Sequence, residues 1–298
     1  MPSISTCVEH FKTDSDVALH DVDPDTRDRR GAYGLELLGV ESAANLLVPC
    51  PDHWTSIRLS WREGRSTTDS ESIDDTMAIL PLRPGGNLVI DRTQGIASFT
   101  TPEALTDTAL VHPFLAPVVA VMSRWLGRHA FHAGAFAHEG RTWVVFGDQG
   151  DGKSSLLAAL ALAGYAVVAD DVVVVIGEEV CAGPRTVDLR EDAARALQTG
   201  DRIGVLGFRE RWRVPLGPIA PELPLGGWIG LEWGEKVEIA KMPGPVLLQY
   251  LLGFHMLDVD GAGRARLVEF VGYPGLVLRR PRELSAISAT VERLIERL

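Results

Sequence analysis

The sequence predicts an α/β fold, in which a β-rich N-terminal domain precedes a larger domain of strands and helices. Three features support this fold class. Short apolar runs alternate with turn residues over the first hundred positions, which is typical of strands. A helical spacing of apolar residues follows from Thr106 to Arg128. A strand-like run, a glycine-rich loop and a row of helix formers then occupy residues 142–164. We divide the chain into domains 1–105 and 106–298.

The first thirty residues are rich in aspartate and include an alternating run from Asp21 to Asp25. Alternating carboxylates are typical of a calcium-binding loop, but such a loop also needs glycine at its sixth position and glutamate at its twelfth. Here Thr26 and Ala32 occupy those positions. We therefore predict a solvated loop rather than a calcium site.

Five apolar runs in the N-terminal domain are predicted strands, because each has the length of a strand and is bounded by turn residues. They are Leu35–Val40, Ser56–Trp61, Met77–Leu82, Leu88–Ile90 and Ile96–Phe99. The helical spacing that follows predicts one amphipathic helix, or two short ones around Pro113, and this segment is expected to link the domains.

The second domain is predicted to contain a hairpin, Ala130–Ala137 and Arg141–Phe146, around the turn at residues 138–140. Beyond the glycine-rich loop, two β-branched runs predict strands that are buried on both faces, at Tyr165–Ala169 and Val172–Ile176. The remaining predicted elements are a helix at Glu191–Leu197, strands at Trp228–Trp233 and Val237–Lys241, and helices at Leu247–Leu257 and Glu283–Leu298.

The glycine-rich loop carries the most specific motif in the chain. Residues 147–154 fit the phosphate-binding pattern G-x-x-x-x-G-K-[ST], between a β-like run and a helix-forming segment. This arrangement aims backbone N–H groups and the positive end of the helix at one point, where the phosphates of ATP can bind. Lys153 is expected to reach the β- and γ-phosphates, and Ser154 to ligate Mg²⁺. The predicted nucleotide-binding residues are Gly147, Asp148, Gln149, Gly150, Asp151, Gly152, Lys153, Ser154 and Ser155.

Two adjacent carboxylates, Asp170 and Asp171, separate the β-branched runs that follow this loop. An acid at the end of a buried strand beside the loop is well placed to hold Mg²⁺, and a second could accept a proton from an incoming hydroxyl group. Two neighbouring acids repel each other when both are ionised, so we expect a bound cation or a raised pKa on one of them. The alternative, a turn with two solvated acids, fits poorly with the valines on both sides.

Three further residues are candidates for the site. His132 lies on an apolar predicted strand, where a histidine is more often a satisfied core residue than a catalyst. Phosphoryl transfer needs cations besides lysine and Mg²⁺. Arg185, in a predicted turn, and Arg213, in the basic predicted loop Arg209–Arg213, could supply one. For either arginine the alternative is a surface charge or an ion pair.

The segment from Ala130 to Val175 resembles the catalytic core of the bacterial HPr serine kinase/phosphorylase family. That family has a histidine-bearing hairpin (here Phe131-His132-Ala133-Gly134), a G-D-S-G-x-G-K-S loop, a helix closing at glycine, and an apolar strand ending in A-D-D. The resemblance implies an α/β P-loop kinase core of the HPr kinase and phosphoenolpyruvate carboxykinase type. It also implies that Asp171 is the acid/base for the acceptor hydroxyl, that Asp170 lies by the metal, and that His132 belongs to the active site.

The sequence also departs from that family. Gln149 replaces the loop serine, Ser155 replaces the glutamate that usually follows, and neither the signature segment nor the basic C-terminal stretch can be found. The resemblance therefore implies a divergent kinase that phosphorylates Ser or Thr of a peptide or small protein, similar to the precursor-peptide kinases of lasso-peptide pathways. A small-molecule kinase and a regulatory nucleotide-binding module are the alternatives, and the sequence does not separate peptide from metabolite acceptors.

The net charge, the cysteines and the lack of long apolar runs limit the partners and the compartment that we expect for this protein. A net charge of -11 argues against a nucleic-acid partner. Cys7, Cys50 and Cys181 are far apart and lack metal-binding spacing, which suits a reducing compartment. No signal sequence or membrane-length apolar run is evident. We therefore expect a cytoplasmic protein without a membrane partner, and the sequence leaves open whether it forms a homo-oligomer.

Overall fold

The computed structural model describes residues 29–66, 70–82, 85–206, 209–257 and 261–298, with the side chains of residues 261 and 262 excepted. The aspartate-rich segment with its predicted loop at Asp21–Asp25 lies outside these residues, as does Cys7. The fold is mixed α/β with large sheets, whereas the domain boundary after residue 105 stays a prediction. No helix in the described ranges combines the length and the apolar character needed to cross a membrane.

The described residues form three sheets and several helices. The strands are Arg30–Ala32 (β1), Leu35–Leu38 (β2), Val48–Pro49 (β3), Thr55–Glu63 (β4), Ser72–Ile73 (β5), Met77–Leu82 (β6), Gly86–Asp91 (β7), Ile96–Thr101 (β8), His129–Phe131 (β9), Gly134–His138 (β10), Arg141–Phe146 (β11), Val167–Ala169 (β12), Val173–Ile176 (β13), Glu179–Cys181 (β14), Thr186–Leu189 (β15), Asp201–Leu206 (β16), Arg209–Pro215 (β17), Glu222–Trp233 (β18), Glu238–Lys241 (β19) and Gly275–Arg280 (β20). The α-helices are Asp107–Val111 (α1), Leu115–Trp125 (α2), Lys153–Leu162 (α3), Glu191–Leu197 (α4), Gly244–Gly253 (α5), Gly261–Phe270 (α6) and Ile287–Ile295 (α7).

The first sheet has the order β3-β1-β2-β4-β8-β7-β6-β5 and contains all five strands predicted for the N-terminal part. Its core comes from side chains that alternate along each strand. In β7, Leu88 and Ile90 are buried whereas Val89 is half-buried, and in β4 the buried residues are Ile57 and Leu59. The runs that were predicted as strands from their length and bounding turns thus also alternate along each strand, and this alternation buries one face of the sheet.

The segment between the two large sheets forms two helices rather than one. Helix α1 begins after Thr106, whose hydroxyl oxygen accepts a hydrogen bond from the Ala109 N–H at 3.2 Å. Pro113 lies between α1 and α2, because proline lacks the N–H that a continuous helix would need there. The buried residues of α2, Val118, Val119 and others, belong to a core that also includes residues of both large sheets.

The second sheet has the order β12-β10-β11-β18-β14-β13-β9, and β20 pairs with both β18 and β19. The predicted hairpin is confirmed for β10 and β11, joined by a turn with positive φ at Glu139 and Gly140, whereas the start of its predicted first strand belongs to β9, which pairs with β13. Strands β11, β18 and β20 run parallel, so their carboxyl ends lie at one edge. Helix α3 buries Leu156, Leu157 and Leu160 in a core that it shares with β11, β18 and β20.

The third sheet, in the order β15-β17-β16, corrects two sequence predictions. The segment 183–190, which the sequence predicts as a turn around Arg185, contains the strand β15, and the predicted basic loop Arg209–Arg213 belongs to the strand β17. Val187 pairs with Val214, and both are buried. The three arginines of β17 occupy every second position, as residues on one face of a strand do. The run of basic residues is therefore one face of a sheet and not a loop.

Other differences concern element ends and elements that carried no prediction. The second β-branched run begins as a strand at Val173, because Asp170 to Val172 form a bend between β12 and β13. Helix α5 ends at Gly253, earlier than predicted, and a short 3-10 turn at Leu284–Ala286 precedes α7. The elements that the sequence interpretation missed include β16, α6 and β20.

Candidate active site

The glycine-rich loop connects β11 to α3 at the edge where the parallel strands end. Gly150 and Gly152 have φ angles of +102° and +75°, which L side chains rarely adopt. A Cβ added at Gly152 would lie 2.5 Å from Nη2 of Arg280. The conformation therefore requires glycine at position 152, and an added Cβ would also displace the guanidinium group of Arg280.

The glycine-rich loop places the start of α3 at a cleft. The first hydrogen bond of this helix runs from the Leu156 N–H to the Gly152 carbonyl oxygen, at 3.0 Å. The N–H groups of Lys153, Ser154 and Ser155 precede that bond and so have no partner within the helix. Unpaired N–H groups and the positive helix end form an anion-binding site at this position.

Lys153 is the first residue of α3 and is buried. Its ammonium group donates to the carbonyl oxygen of Gly147 and, at 3.5 Å, to that of Asp148. Burial lowers the pKa of Lys153, whereas the nearby charges of Asp170 and Asp171 raise it. The ammonium group therefore lies within the loop that the motif predicts to hold phosphates.

Ser154 and Asp170 form a direct pair beneath the loop. The Ser154 hydroxyl donates to Oδ1 of Asp170 at 3.0 Å. Asp170 is only 2% exposed, and burial, followed by the charge of Asp171, raises the pKa of its carboxyl group to about 8. One of the two adjacent acids thus has the raised pKa that their proximity predicts.

Asp171 lies at the bend after β12 and lines the cleft, in a left-handed conformation with φ of +66°. Its carbonyl oxygen accepts a hydrogen bond from Nδ1 of His132 at 3.0 Å, which leaves Nε2 of that ring as an acceptor. His132 follows directly after β9 instead of lying on it, and it also lines the cleft. Burial and the charge of Lys153 lower the pKa of His132, so the ring is neutral at pH 7.

The cleft has a volume of about 570 Å³ and is half-open to solvent. On one side lie the phosphate loop, the start of α3, His132 and Asp171. The lining also includes residues of β15, the start of α4 and β17, and residues at and just beyond the ends of β18 and β20. From the predicted nucleotide-binding set, the lining includes Asp148, Gln149, Gly150, Gly152, Lys153, Ser154 and Ser155.

Arg280, which the sequence interpretation did not select, is the arginine that holds the phosphate loop. Its Nη2 donates to the carbonyl oxygens of Asp151 and Gly152, at 2.7 and 3.2 Å. The guanidinium also lies over the ring of Trp233, 4.6 Å from its centroid, and the residue is 2% exposed. No spacing rule connects Arg280 with a loop so distant in sequence, and the strand that carries it went unpredicted.

The two arginines selected from the sequence have other positions. Arg185 is buried and donates to the carbonyl oxygens of Val167, Val168 and Gly217. Arg213 donates through two nitrogen atoms to the carboxylate of Asp188, each at 2.9 Å. Neither residue lines the cleft, because each guanidinium is engaged beneath its wall. Arg211, the neighbour of Arg213 on the same strand face, does line it.

Comparison with known proteins finds no matching protein-family model and no matching curated protein. Among solved structures, this chain is similar to the HPr(Ser) kinase/phosphatase from Coxiella burnetii. The likeness covers 56% of this chain and 94% of that chain, with 14% sequence identity and a TM-score of 0.30. A likeness of this strength establishes neither a family nor a function for this chain.

Proposed function

We propose that this protein is a kinase that binds ATP with Mg²⁺ and transfers the γ-phosphoryl group to a hydroxyl group of its acceptor. The observation that carries the proposal is the pairing of Ser154 with Asp170 beneath the phosphate loop, with Asp171 beside them in an accessible cleft. A loop that served only as a turn would not need two acids and a hydroxyl group converging on it.

The phosphates of ATP fit the loop side of the cleft. The N–H groups at the start of α3 can donate to phosphate oxygens, and the positive helix end favours their charge. Lys153 needs to exchange its two carbonyl acceptors for the β- and γ-phosphates. Such an exchange replaces neutral acceptors by charged ones, and charge-assisted hydrogen bonds are the stronger kind.

The residues beneath the loop also fit Mg²⁺. A hydroxyl and a carboxylate oxygen are the hard donors that this ion prefers, and Mg²⁺ commonly takes only one or two protein ligands besides water and phosphate. Ser154 and Asp170 would hold it, and the bound ion would neutralise charge on the phosphates. The carboxyl group of Asp170, whose pKa is raised by burial and by the charge of Asp171, is the feature that a cation would satisfy.

Asp171 supplies the base in this proposal. Its carboxylate accepts the proton of the acceptor hydroxyl while the hydroxyl oxygen forms a bond to the γ-phosphorus. The bond from that phosphorus to the β-γ bridging oxygen breaks, and ADP leaves with the bridging oxygen. His132 fixes the backbone of Asp171 through its hydrogen bond to the carbonyl oxygen. Most of the rate acceleration then comes from positioning and electrostatics.

We further propose that the acceptor is a Ser or Thr of a peptide or small protein. A shallow groove of about 330 Å³ continues the cleft and shares Arg190, Arg209 and Glu210 with it, whereas Glu191 and Trp212 line only the groove. An extended chain could leave the site along this groove, whereas a small metabolite needs no such exit. None of the described residues before position 106 lines the cleft or the groove, so the acceptor would lie against β17 and α4.

The test is phosphoryl transfer itself, measured by mass spectrometry of a Ser- and Thr-containing peptide library after incubation with ATP and Mg²⁺. Asp171→Asn should lower kcat by at least about 100-fold while the Kd for ATP stays within about threefold. Asp192→Asn is the matched control, because Asp192 is an exposed acid that lines the same cleft. Transfer at equal rates by the wild type and by Asp171→Asn would rule out the assigned base. Phosphorylation of small hydroxylated metabolites alone would replace the peptide acceptor by a metabolite.

A further inference from the structure

One side chain of the first sheet reaches the bend that carries the two acids. Tyr33 lies in the tight turn between β1 and β2, and its hydroxyl donates to the carbonyl oxygen of Asp170 at 2.9 Å. The two residues are 137 positions apart in sequence. Tyr33 is 2% exposed, so this hydrogen bond lies in the interior between the two large sheets.

The position of Tyr33 is fixed on several sides. Its backbone N–H donates to the Ala182 carbonyl oxygen at 2.7 Å, and Arg128 donates to the carbonyl oxygen of Gly34 at the same distance. The tyrosine ring lies against Gly183, where an added Cβ would be 2.7 Å from ring atom Cε1. The backbone, the turn and the space around the ring thus hold the hydroxyl where it meets Asp170.

The bend needs such support because Asp171 has a left-handed conformation, which costs free energy for a residue other than glycine and persists only where its surroundings impose it. Within the part of the chain that the structure describes, three hydrogen bonds reach the carbonyl oxygens of Asp170 and Asp171. Tyr33 and the Val172 N–H both donate to the Asp170 carbonyl oxygen, and His132 donates to that of Asp171. Only one of these donors, Tyr33, comes from the first sheet.

We propose that Tyr33 is a positioning residue for the acid pair: its hydrogen bond holds the bend that presents the Asp171 carboxylate to the cleft. The first sheet thereby forms part of the framework of the site, although none of its described residues lines the cleft. The catalytic consequence rests on the proposed role of Asp171 as the base, whereas the anchoring of the bend does not.

Tyr33→Phe tests the inference because it keeps the ring against Gly183 and removes only the hydroxyl donor. Tyr165→Phe is the matched control, since Tyr165 is a half-buried tyrosine whose ring packs near His138 on the other side of the sheet. We expect Tyr33→Phe to lower kcat about tenfold, with the Kd for ATP within about twofold, because one lost hydrogen bond misplaces a base without altering the phosphate loop. Tyr165→Phe should change neither quantity. An unchanged kcat in Tyr33→Phe would overturn the inference.

A double-mutant cycle separates positioning from a general loss of structure. If Tyr33 acts through the acid, then Tyr33→Phe should have less than about a twofold effect on kcat in the Asp171→Asn background. The same tenfold loss in both backgrounds would mean that Tyr33 supports the fold and not the base. Gly183→Ala is a second route to the same bend, since the added methyl group would displace the tyrosine ring, and it should also lower kcat.

Amide hydrogen exchange tests the anchoring without any enzymatic assay. In Tyr33→Phe the Val172 N–H, which shares the Asp170 carbonyl oxygen with Tyr33, should exchange about tenfold faster, while Tyr165→Phe leaves its rate unchanged. Faster exchange in a protein that shows no kinase activity would support the anchoring and reject the proposed function. Unchanged exchange would reject the anchoring, whatever the activity of the wild type.

Discussion

Each wall of the cleft has a buried aspartate: Asp188 belongs to the lining, whereas Asp170 lies beneath the phosphate loop and outside the lining. The two aspartates have different surroundings. On the arginine wall, formed by β15 and β17, the carboxylate of Asp188 pairs with Arg213 through two 2.9 Å hydrogen bonds and lies 3.8 Å from Nη1 of Arg211. On the phosphate-loop wall, Asp170 accepts from the Ser154 hydroxyl and has no ion pair within 4 Å among the residues the structure describes. Burial and the charge of Asp171 raise the pKa of Asp170 to about 8.

This difference between the two aspartates indicates which wall of the cleft is structural and which wall binds a ligand. A buried carboxylate that the protein pairs with its own arginines leaves no unpaired charge for a ligand to neutralise. A buried carboxyl group that lacks an ion pair has a raised pKa instead, as Asp170 does, and a bound cation would favour its ionised form. By this comparison, the arginine wall is a support and the phosphate-loop wall is the place for a cation and phosphates.

The largest expected effect is on the phosphate-loop wall, from Lys153→Ala. The Kd for ATP should rise about 100-fold or more, because Lys153 is the cation nearest the predicted phosphate position. Arg209→Ala removes an exposed cation from the arginine wall of the same cleft and should change the Kd for ATP less than threefold. Isothermal titration calorimetry measures both. Equal losses from the two variants would remove the distinction between the walls.

Lys153→Ala should leave the fold intact. The ammonium group of Lys153 is buried against carbonyl groups of the loop, and burial lowers its pKa. Removing the ammonium group therefore loses hydrogen bonds but also removes the cost of burying a charge. Circular dichroism and the melting temperature provide the check. Unfolding of Lys153→Ala would show that the lysine is a structural residue.

The second effect is a pH dependence of stability that Asp170→Asn should abolish. The folded-state pKa of Asp170, about 8, is above that of an exposed aspartate, so its protonated form is the one that the fold favours. The wild type should therefore lose stability as the pH rises from about 4 through 8, by up to roughly 1.4 kcal/mol per unit of pH. Asp170→Asn does not titrate, so its advantage over the wild type should grow across this range.

Melting temperatures of the wild type and of Asp170→Asn between pH 5 and pH 9 measure this difference in stability. Addition of Mg²⁺ provides a second comparison of the two proteins. Addition of Mg²⁺ at pH 8 should stabilise the wild type more than Asp170→Asn, because the variant lacks the carboxylate. A constant difference in melting temperature across the pH range would show that Asp170 is already compensated within the fold.

On the arginine wall, Asp188→Asn should destabilise the protein at every pH from 6 to 9. The substitution leaves Arg213 and Arg211 without their carboxylate in a largely buried position, and breaking one partner of a buried pair costs about 3 kcal/mol. Urea unfolding measures the loss, while the Kd for ATP should stay within about threefold. A large loss of ATP affinity at unchanged stability would assign the arginine wall to nucleotide binding instead.

The comparison also explains what the sequence could predict. The phosphate-loop wall comes from contiguous residues whose spacing is set by local geometry, so its motif and the nearby acid pair are recognisable without a structure. The arginine wall depends on strand register, which places Asp188 opposite Arg213 although 25 positions separate them. The basic run was interpreted as a loop because alternating charges hide the apolar partners Trp212 and Val214. Contacts such as those of Tyr33 and Arg280 depend on tertiary packing alone.

The smallest expected effect concerns an arginine that supports the phosphate-loop wall without neutralising Asp170. Arg280 donates to the backbone carbonyl groups of Asp151 and Gly152, so it holds the shape of the loop and forms no ion pair with Asp170. Arg280→Lys retains a positive charge but loses the planar group that both stacks on Trp233 and donates to the loop. The Kd for ATP should rise about tenfold. Arg282→Lys is the matched control, because Arg282 lies near the same ring, 5.7 Å from its centroid, but is exposed. If both variants bound ATP as tightly as the wild type, Arg280 would not be needed to hold the shape of the loop. The glycines of the loop and Lys153 would then have to hold that shape.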